Sequence, residues 1–327
     1  MSKKGEKKGK IKNLEIKNVT EDVLLIRQIK PFFDFSNCNG LLVLPKEGRN
    51  KDAVALDLNI EPRLSLELFK VYGHVSDYVV CHADMNHMAH VYGWEALEAN
   101  IHAPRPENMH LIDLYNYFNA YSFADITDFS TIELFGDLNG FVACKKVEAF
   151  EPGDKLKFEN LEIETISFKA HSEGFVGLYL PGEKILHLSS LGFDQPEPEV
   201  DGFGPWYGNK KCSLEQYQKD IDKAEELFME EAEFLTSSQG YIVEKGDKTP
   251  FDYMRRKIKE RQQIINESIL TLNLSKDYED CVELLLDQDL FFNKRKMKGL
   301  LKIVHTSWEN WIIRNHLQPI FKFLEME

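Results

Sequence analysis

The chain lacks the cysteine pattern of a disulfide-built domain. Its five cysteines, Cys38, Cys81, Cys144, Cys212 and Cys281, are odd in number and include no CxxC pair, which points to free thiols and a reducing, cytoplasmic setting. No apolar run approaches the roughly 20 residues needed to cross a bilayer, so no membrane span is expected. The lysine-rich start has no apolar h-region behind it, and residues 1–12 read as a solvated, disordered basic arm. Six lysines against Glu6 give that arm +5, which leaves −19 on the rest of a chain whose total is −14. So acidic a body excludes a general nucleic-acid surface. What is present is an ordinary globular composition, 43% hydrophobic and 12% aromatic over 327 residues, enough for one large domain or one domain with an appendage.

Turn residues break the first half into short β-rich runs. Ile11 to Ile29 alternates, and Gly40 to Leu44 and Ala53 to Leu56 follow it, the spacing of a meander. A helix is expected from Arg63 to Gly73, then a buried strand ending at Val79-Val80, then a helix from Met88 to Leu97. Asn100 to Ala103 looks like a short strand and Ile112 to Phe123 like an aromatic helix. Phe141 to Cys144, Lys155 to Phe158 and Leu161 to Phe168 read as a second run of strands. Pro181-Gly182-Glu183 turns a hairpin between Gly177 and Leu188. The remainder is helical. Ser213-x-x-Gln216 opens a helix to Phe234, Pro250 starts another, and Thr306-x-x-Glu309 reads as a capping box before Trp308 to Leu324.

Chemistry concentrates where the Val79-Val80 strand gives way to a loop. Cys81-His82-Ala83-Asp84-Met85-Asn86-His87 offers two imidazoles and a carboxylate within six positions, a density that suits a transition metal with nitrogen and oxygen ligands.

The pattern His82-x-Asp84-x-Asn86-His87 resembles the His-x-His-x-Asp-His signature of the metallo-β-lactamase superfamily, placed like it between a strand and a helix. The order of later segments resembles that superfamily as well. Asp57 ends a strand just ahead of the loop, and His171 in Lys169-Ala170-His171-Ser172-Glu173-Gly174 takes the place of the Pro-Gly-His-Thr-like ligand loop. Ser190 stands where relatives carry a metal-bridging aspartate, and Gln239 where they carry the last histidine. The resemblance implies an α+β fold, a four-layer αβ/βα sandwich over residues 13–270, with a C-terminal helical extension over 271–327 packed on it in the manner of glyoxalase II relatives.

Carried over position by position, the resemblance implies His82, Asp84 and His171 for the first metal, with His87 as a fourth ligand or as the catalytic group that orients water. The second metal keeps only His87, because Asn86, Ser190 and Gln239 replace its other donors, and neutral amides and hydroxyls are poor donors beside carboxylates and imidazoles. One divalent cation, iron or zinc, is therefore expected, in a degenerate centre. Three functions follow: a metallohydrolase acting on an ester or thioester, a non-haem iron protein for oxygen or redox chemistry, which Asp84 makes similar to flavodiiron domains, and a metal-free pseudoenzyme used for binding. The expected partners are a small-molecule substrate or ligand and a second copy of the chain, with neither nucleic acid nor membrane.

Overall fold

The computed structural model describes residues 11–33, 36–46, 52–159, 161–191, 205–272 and 277–324. The basic arm expected over residues 1–12 lies outside the described residues except for its last two.

Seven strands make the first sheet and neighbour one another in chain order: β1 (Leu14–Asn18), β2 (Val23–Gln28), β3 (Gly40–Val43), β4 (Ala53–Leu56), β5 (Val75–Val79), β6 (Asn100–Pro104) and β7 (Glu148–Phe150). The first four pair antiparallel, as the meander requires, and β4 to β7 pair parallel. Parallel neighbours need crossovers. Helix α1 (Pro62–Tyr72) supplies the first, α2 (Met85–Met88) and α3 (Tyr92–Glu95) the second, and α4 (Asn108–Ile112), α5 (Leu114–Ala120) and α6 (Phe129–Asn139) the third.

The second sheet has the spatial order β13-β12-β11-β10-β9-β8. Its strands are β8 (Lys155–Phe158), β9 (Leu161–Ser167), β10 (Val176–Leu180), β11 (Ile185–His187), β12 (Phe234–Thr236) and β13 (Ile242–Glu244), with α7 (Leu214–Glu230) crossing between the parallel pair β11 and β12. Then α8 (Thr249–Leu272), α9 (Tyr278–Leu286) and α10 (Gly299–Leu324) follow.

Burial explains the choice of residues. β3, β4 and β10 are buried along their whole length, and strands covered on both faces are written as continuous apolar runs. β8 alternates exposed Lys155 and Lys157 with half-buried Leu156 and Phe158, and charged side chains on an edge strand discourage pairing with another chain. The result is an α+β, four-layer αβ/βα sandwich with C-terminal helices. One apolar core extends from Ile11 to Ile312, and α8, α9 and α10 enclose a smaller cluster of Ile265, Cys281, Val282, Leu285, Ile313 and Leu317. Helix α10 thus serves both, through Ile312 and Ile313. All five cysteines are buried and no disulfide joins them. Among the described residues no helix is long and apolar enough to cross a membrane.

Three local expectations are corrected. The helix from Met88 to Leu97 is two short ones, because Asp84 caps a turn starting at Met85 and the Asn59 side chain takes the His90 N–H at 2.8 Å. Phe141 to Cys144 is not a strand. Its Cys144 N–H goes to Leu111 O, and the carboxylate of Glu95 accepts the next two N–H groups, of Lys145 and Lys146, so the ladder begins only at Glu148. Thr306 and Glu309 lie inside α10 rather than at its start: Thr306 bonds back to Lys302 O, while Glu309 is buried and accepts the Phe291 N–H.

Candidate metal centre

Both ligand-bearing loops sit at one edge of the sandwich and are tied to each other. After β5 the chain passes through Cys81, whose N–H reaches Asp57 Oδ1 at 3.3 Å and whose carbonyl accepts the Val176 N–H of β10 at 3.1 Å. After β9, Asp220 of α7 accepts the N–H groups of Lys169 and Ala170 at 2.9 and 3.0 Å. Glu107 joins the loops. One of its oxygens accepts Ala83 N–H at 3.0 Å, and the other accepts Ser172 Oγ–H at 2.7 Å and Gly174 N–H at 3.2 Å. Gly174 permits this approach, since a Cβ there would stand 2.6 Å from Arg105 O.

The loops bring His82, Asp84 and His171 together, with a ligand atom of each within 4.8 Å of the other two. The rings of His82 and His171 meet edge to face at 4.7 Å, and Phe175 packs against both. His171 Nδ1–H donates to Trp206 O at 3.3 Å, which leaves Nε2 as the acceptor nitrogen. Nε2 of His82 and Nε2 of His171 are buried without a hydrogen-bond partner. Burial, with the neighbouring imidazoles, holds His82 well below the ordinary imidazole range, and burial brings His171 down to about 4. Both rings are neutral near pH 7, as ligation requires.

Asp84 caps α2 and accepts Met85 N–H and Tyr117 O–H, each at 2.8 Å. Enclosure of its carboxyl raises its pKa against the pull of those two donors. Two orphaned imidazole nitrogens and a carboxylate form a donor set that fits a divalent cation.

His87 lies against His82, ring centroids 4.0 Å apart, but its nitrogens are engaged elsewhere. Nδ1 is 2.9 Å from Asp57 Oδ1 and Nε2 is 2.7 Å from Ser190 Oγ. Asp57 is fully buried at the end of β4 with φ +52, and its other oxygen accepts the Ser189 hydroxyl at 2.5 Å and faces His187 Nε2 at 3.5 Å. Although burial alone would raise it, the charges and hydrogen bonds of His87 and His187 hold the Asp57 carboxyl well below the usual carboxylate range. Cys38 and Cys81 also approach Asp57. Burial pushes both thiols well above the ordinary cysteine value, and the Cys38 thiol donates to Asp57 O at 3.0 Å. Gln239 is exposed and Asn86 partly so.

His187 and Glu107 are among the participants that the sequence does not mark as site residues. His187 had a signal, a histidine inside the apolar run Ile185-Leu186-His187-Leu188. Glu107 had none, because its partners at the site include two backbone N–H groups.

No family profile matches the chain, and no curated protein matches it significantly. Solved structures do. A metallo-β-lactamase family protein from Thermus thermophilus superposes with a TM-score of 0.63 at 13% identity, covering 93% of this chain and 95% of that one. A β-lactamase domain protein from Burkholderia ambifaria gives 0.63 at 13% identity over 94% and 89%. The DIM-1 metallo-β-lactamase gives 0.52 at 16% identity over 76% and 99%. The chain therefore has the metallo-β-lactamase fold.

Proposed function

We propose that the protein is a metal-dependent hydrolase that holds one divalent cation with His82, Asp84 and His171 and cleaves a small ester or thioester. The observation that carries this reading is the convergence of His82, Asp84 and His171, with a buried Nε2 on each histidine that has no hydrogen-bond partner. A cation bound there supplies Lewis-acid polarisation of a carbonyl and lowers the pKa of a bound water. The protein's own contribution is alignment: Glu107 fixes the two loops relative to each other, and His87 packs against His82 while its Nε2 holds the Ser190 hydroxyl beside the site. Only one cation is held because His87 is engaged by Asp57 and Ser190, and Gln239 faces solvent. The buried, unbridged thiols support a reducing cytoplasmic setting.

A second reading is favoured by Asp84 itself, since two histidines and a carboxylate also suit non-haem iron. Elemental analysis of anaerobically purified protein, paired with turnover of p-nitrophenyl acetate and an acyl-thioester, separates them. One zinc per chain with turnover supports the hydrolase. Iron without turnover supports the redox protein, and absence of any metal defeats both.

A further inference from the structure

The Asp57, His87 and Ser190 side chains form a continuous chain of hydrogen bonds that a metal ligand set does not require. His87 Nδ1 stands 2.9 Å from Asp57 Oδ1 and serves as the donor to that carboxylate oxygen. His87 Nε2 is then the acceptor, and the Ser190 hydroxyl 2.7 Å away donates to it. Cys38 suits the same tautomer: its thiol donates to Asp57 O at 3.0 Å, leaving the sulfur to face His87 Nδ1 at 3.2 Å. Asp57 and His87 are fully buried while Ser190 keeps some exposure, which places the hydroxyl at the open end of the relay. Ser189 has φ +50, a left-handed bend that non-glycine residues adopt at a cost, and it turns the chain sharply out of the β11 end just before Ser190. A second contact, Ser190 Oγ to Ser238 Oγ at 2.8 Å, holds the hydroxyl in place.

We propose that Ser190 is a nucleophile, with His87 as its base and Asp57 as the residue that positions His87, and that ester or thioester cleavage here passes through an acyl-enzyme. The assignment rests on the hydrolase reading for its substrate class. Ser190 Oγ attacks the acyl carbon as its proton passes to His87 Nε2. The Oγ–acyl bond forms, the bond to the alcohol or thiol breaks, and the leaving group departs with the proton from Nε2. Water then attacks the acyl carbon, gives a proton to Nε2, and the carboxylic acid leaves as Ser190 recovers its hydrogen. A nucleophile, a base and a group orienting the base are the parts of this relay wherever it occurs, whatever the fold.

The test uses a fluorophosphonate probe on the full chain, both as purified and after chelation, with metal content measured in each sample. Intact mass should rise by one phosphonyl group with loss of fluoride, peptide mapping should place it on Ser190, and folded Ser190→Ala should show none. Asp57→Asn should slow labelling on the order of 10⁴-fold while leaving the adduct on the same residue. Should Asp57→Asn fail to fold, Ser190→Cys provides the second arm, giving thiol alkylation by iodoacetamide at position 190 faster than at the five buried cysteines. No adduct on folded wild type, or an adduct unaffected by Ser190→Ala, overturns the proposal. A Ser190 adduct in protein that binds no metal defeats the metal reading and keeps the nucleophile; bound metal without an adduct does the reverse.

Discussion

Glu107 bonds across the gap between the two ligand loops, holding Ala83 N–H at 3.0 Å with one oxygen and Ser172 Oγ at 2.7 Å with the other. Ala83 follows His82 and Ser172 follows His171 in the chain, so the carboxylate sets the separation of the two imidazoles without bonding to either ring.

The protonation state of Glu107 should therefore matter to the fold. Burial opposes its ionisation, but the hydrogen bond and charge of His110 with the N–H and hydroxyl donors outweigh this and bring its pKa from the ordinary 4.5 to about 2. A folded value below the unfolded one means that the stabilisation is complete above about 4.5 and is lost as pH falls through about 2. At 1.36 kcal/mol per unit the contribution is on the order of 3 kcal/mol. Urea unfolding of wild type should weaken across that acid window, and Glu107→Gln should be less stable at pH 7 with a flatter acid limb. An unchanged limb in Glu107→Gln would assign the acid loss to other carboxylates.

Gly40 pairs with Ile26 of β2, and a Cβ on it would stand 2.3 Å from Leu56 O and 2.5 Å from Asp57 O. These are backbone atoms that cannot rotate away. Gly40→Ala should cost about 1 to 3 kcal/mol, the range for overpacking a filled interior, and should displace the strand end that carries Asp57. Denaturant midpoints check the first effect; loss of the downfield Asp57–His87 proton signal in NMR checks the second. A shift below about 0.5 kcal/mol, the scale of neutral surface changes, would show that β4 yields.

The legible parts of this chain were those written in side-chain pattern. Val23 to Ile26, Gly40 to Val43 and Ala53 to Leu56 announced strands because strands buried on both faces need uninterrupted apolar runs. His82 and Asp84 stand out by residue type and spacing, and Asp57 and His171 only through the resemblance of segment order to the metallo-β-lactamase superfamily. What stayed hidden depended on partners distant in sequence. Phe141 to Cys144 has strand-like composition, yet Glu95, some 50 residues away, captures the two N–H groups that follow it. Thr306 and Glu309 have capping-box spacing, but Glu309 is drawn into a buried pair with Lys294 and the helix starts at Gly299. Helix α6 went unread despite a capping Asp128, whose carboxylate accepts Thr131 N–H at 3.0 Å, and a left-handed Gly140 at its end. The contact of His87 with Ser190 is invisible in the sequence for the same reason, since the two lie 103 positions apart.

Restoring the donors of a second cation should convert the centre. Ser190→Asp places a carboxylate beside His87 in place of the hydroxyl 2.7 Å from Nε2, and Gln239→His adds an imidazole on the loop that follows β12. The double variant should raise metal content from one toward two per chain, measured by elemental analysis after zinc loading and gel filtration. Content that stays at one would mean that His87 remains committed to Asp57, whose bond at 2.9 Å is fully buried.

Asp84 decides the character of the first site. It is the one anionic member of the set with His82 and His171, and two imidazoles without a charge or third donor bind a divalent cation weakly. Asp84→Ala should therefore abolish metal binding. It should also lower stability, because it removes the acceptor of Met85 N–H and of the Tyr117 hydroxyl, and loss of an N-cap alone costs about 1 kcal/mol. Asp84→Asn separates the two effects, since it keeps an oxygen acceptor for the cap and removes the charge; it should fold more stably than Asp84→Ala and still lose metal. Asp84→His rebuilds a three-histidine set of the kind that binds zinc in hydrolases, and should raise the zinc share of the bound metal above that of wild type. Wild type and the three variants, loaded with equal iron and zinc without oxygen and then stripped of excess metal, provide the comparison. Full occupancy in Asp84→Ala would make Asp84 a helix cap and nothing more, and the iron reading would lose the residue it depends on.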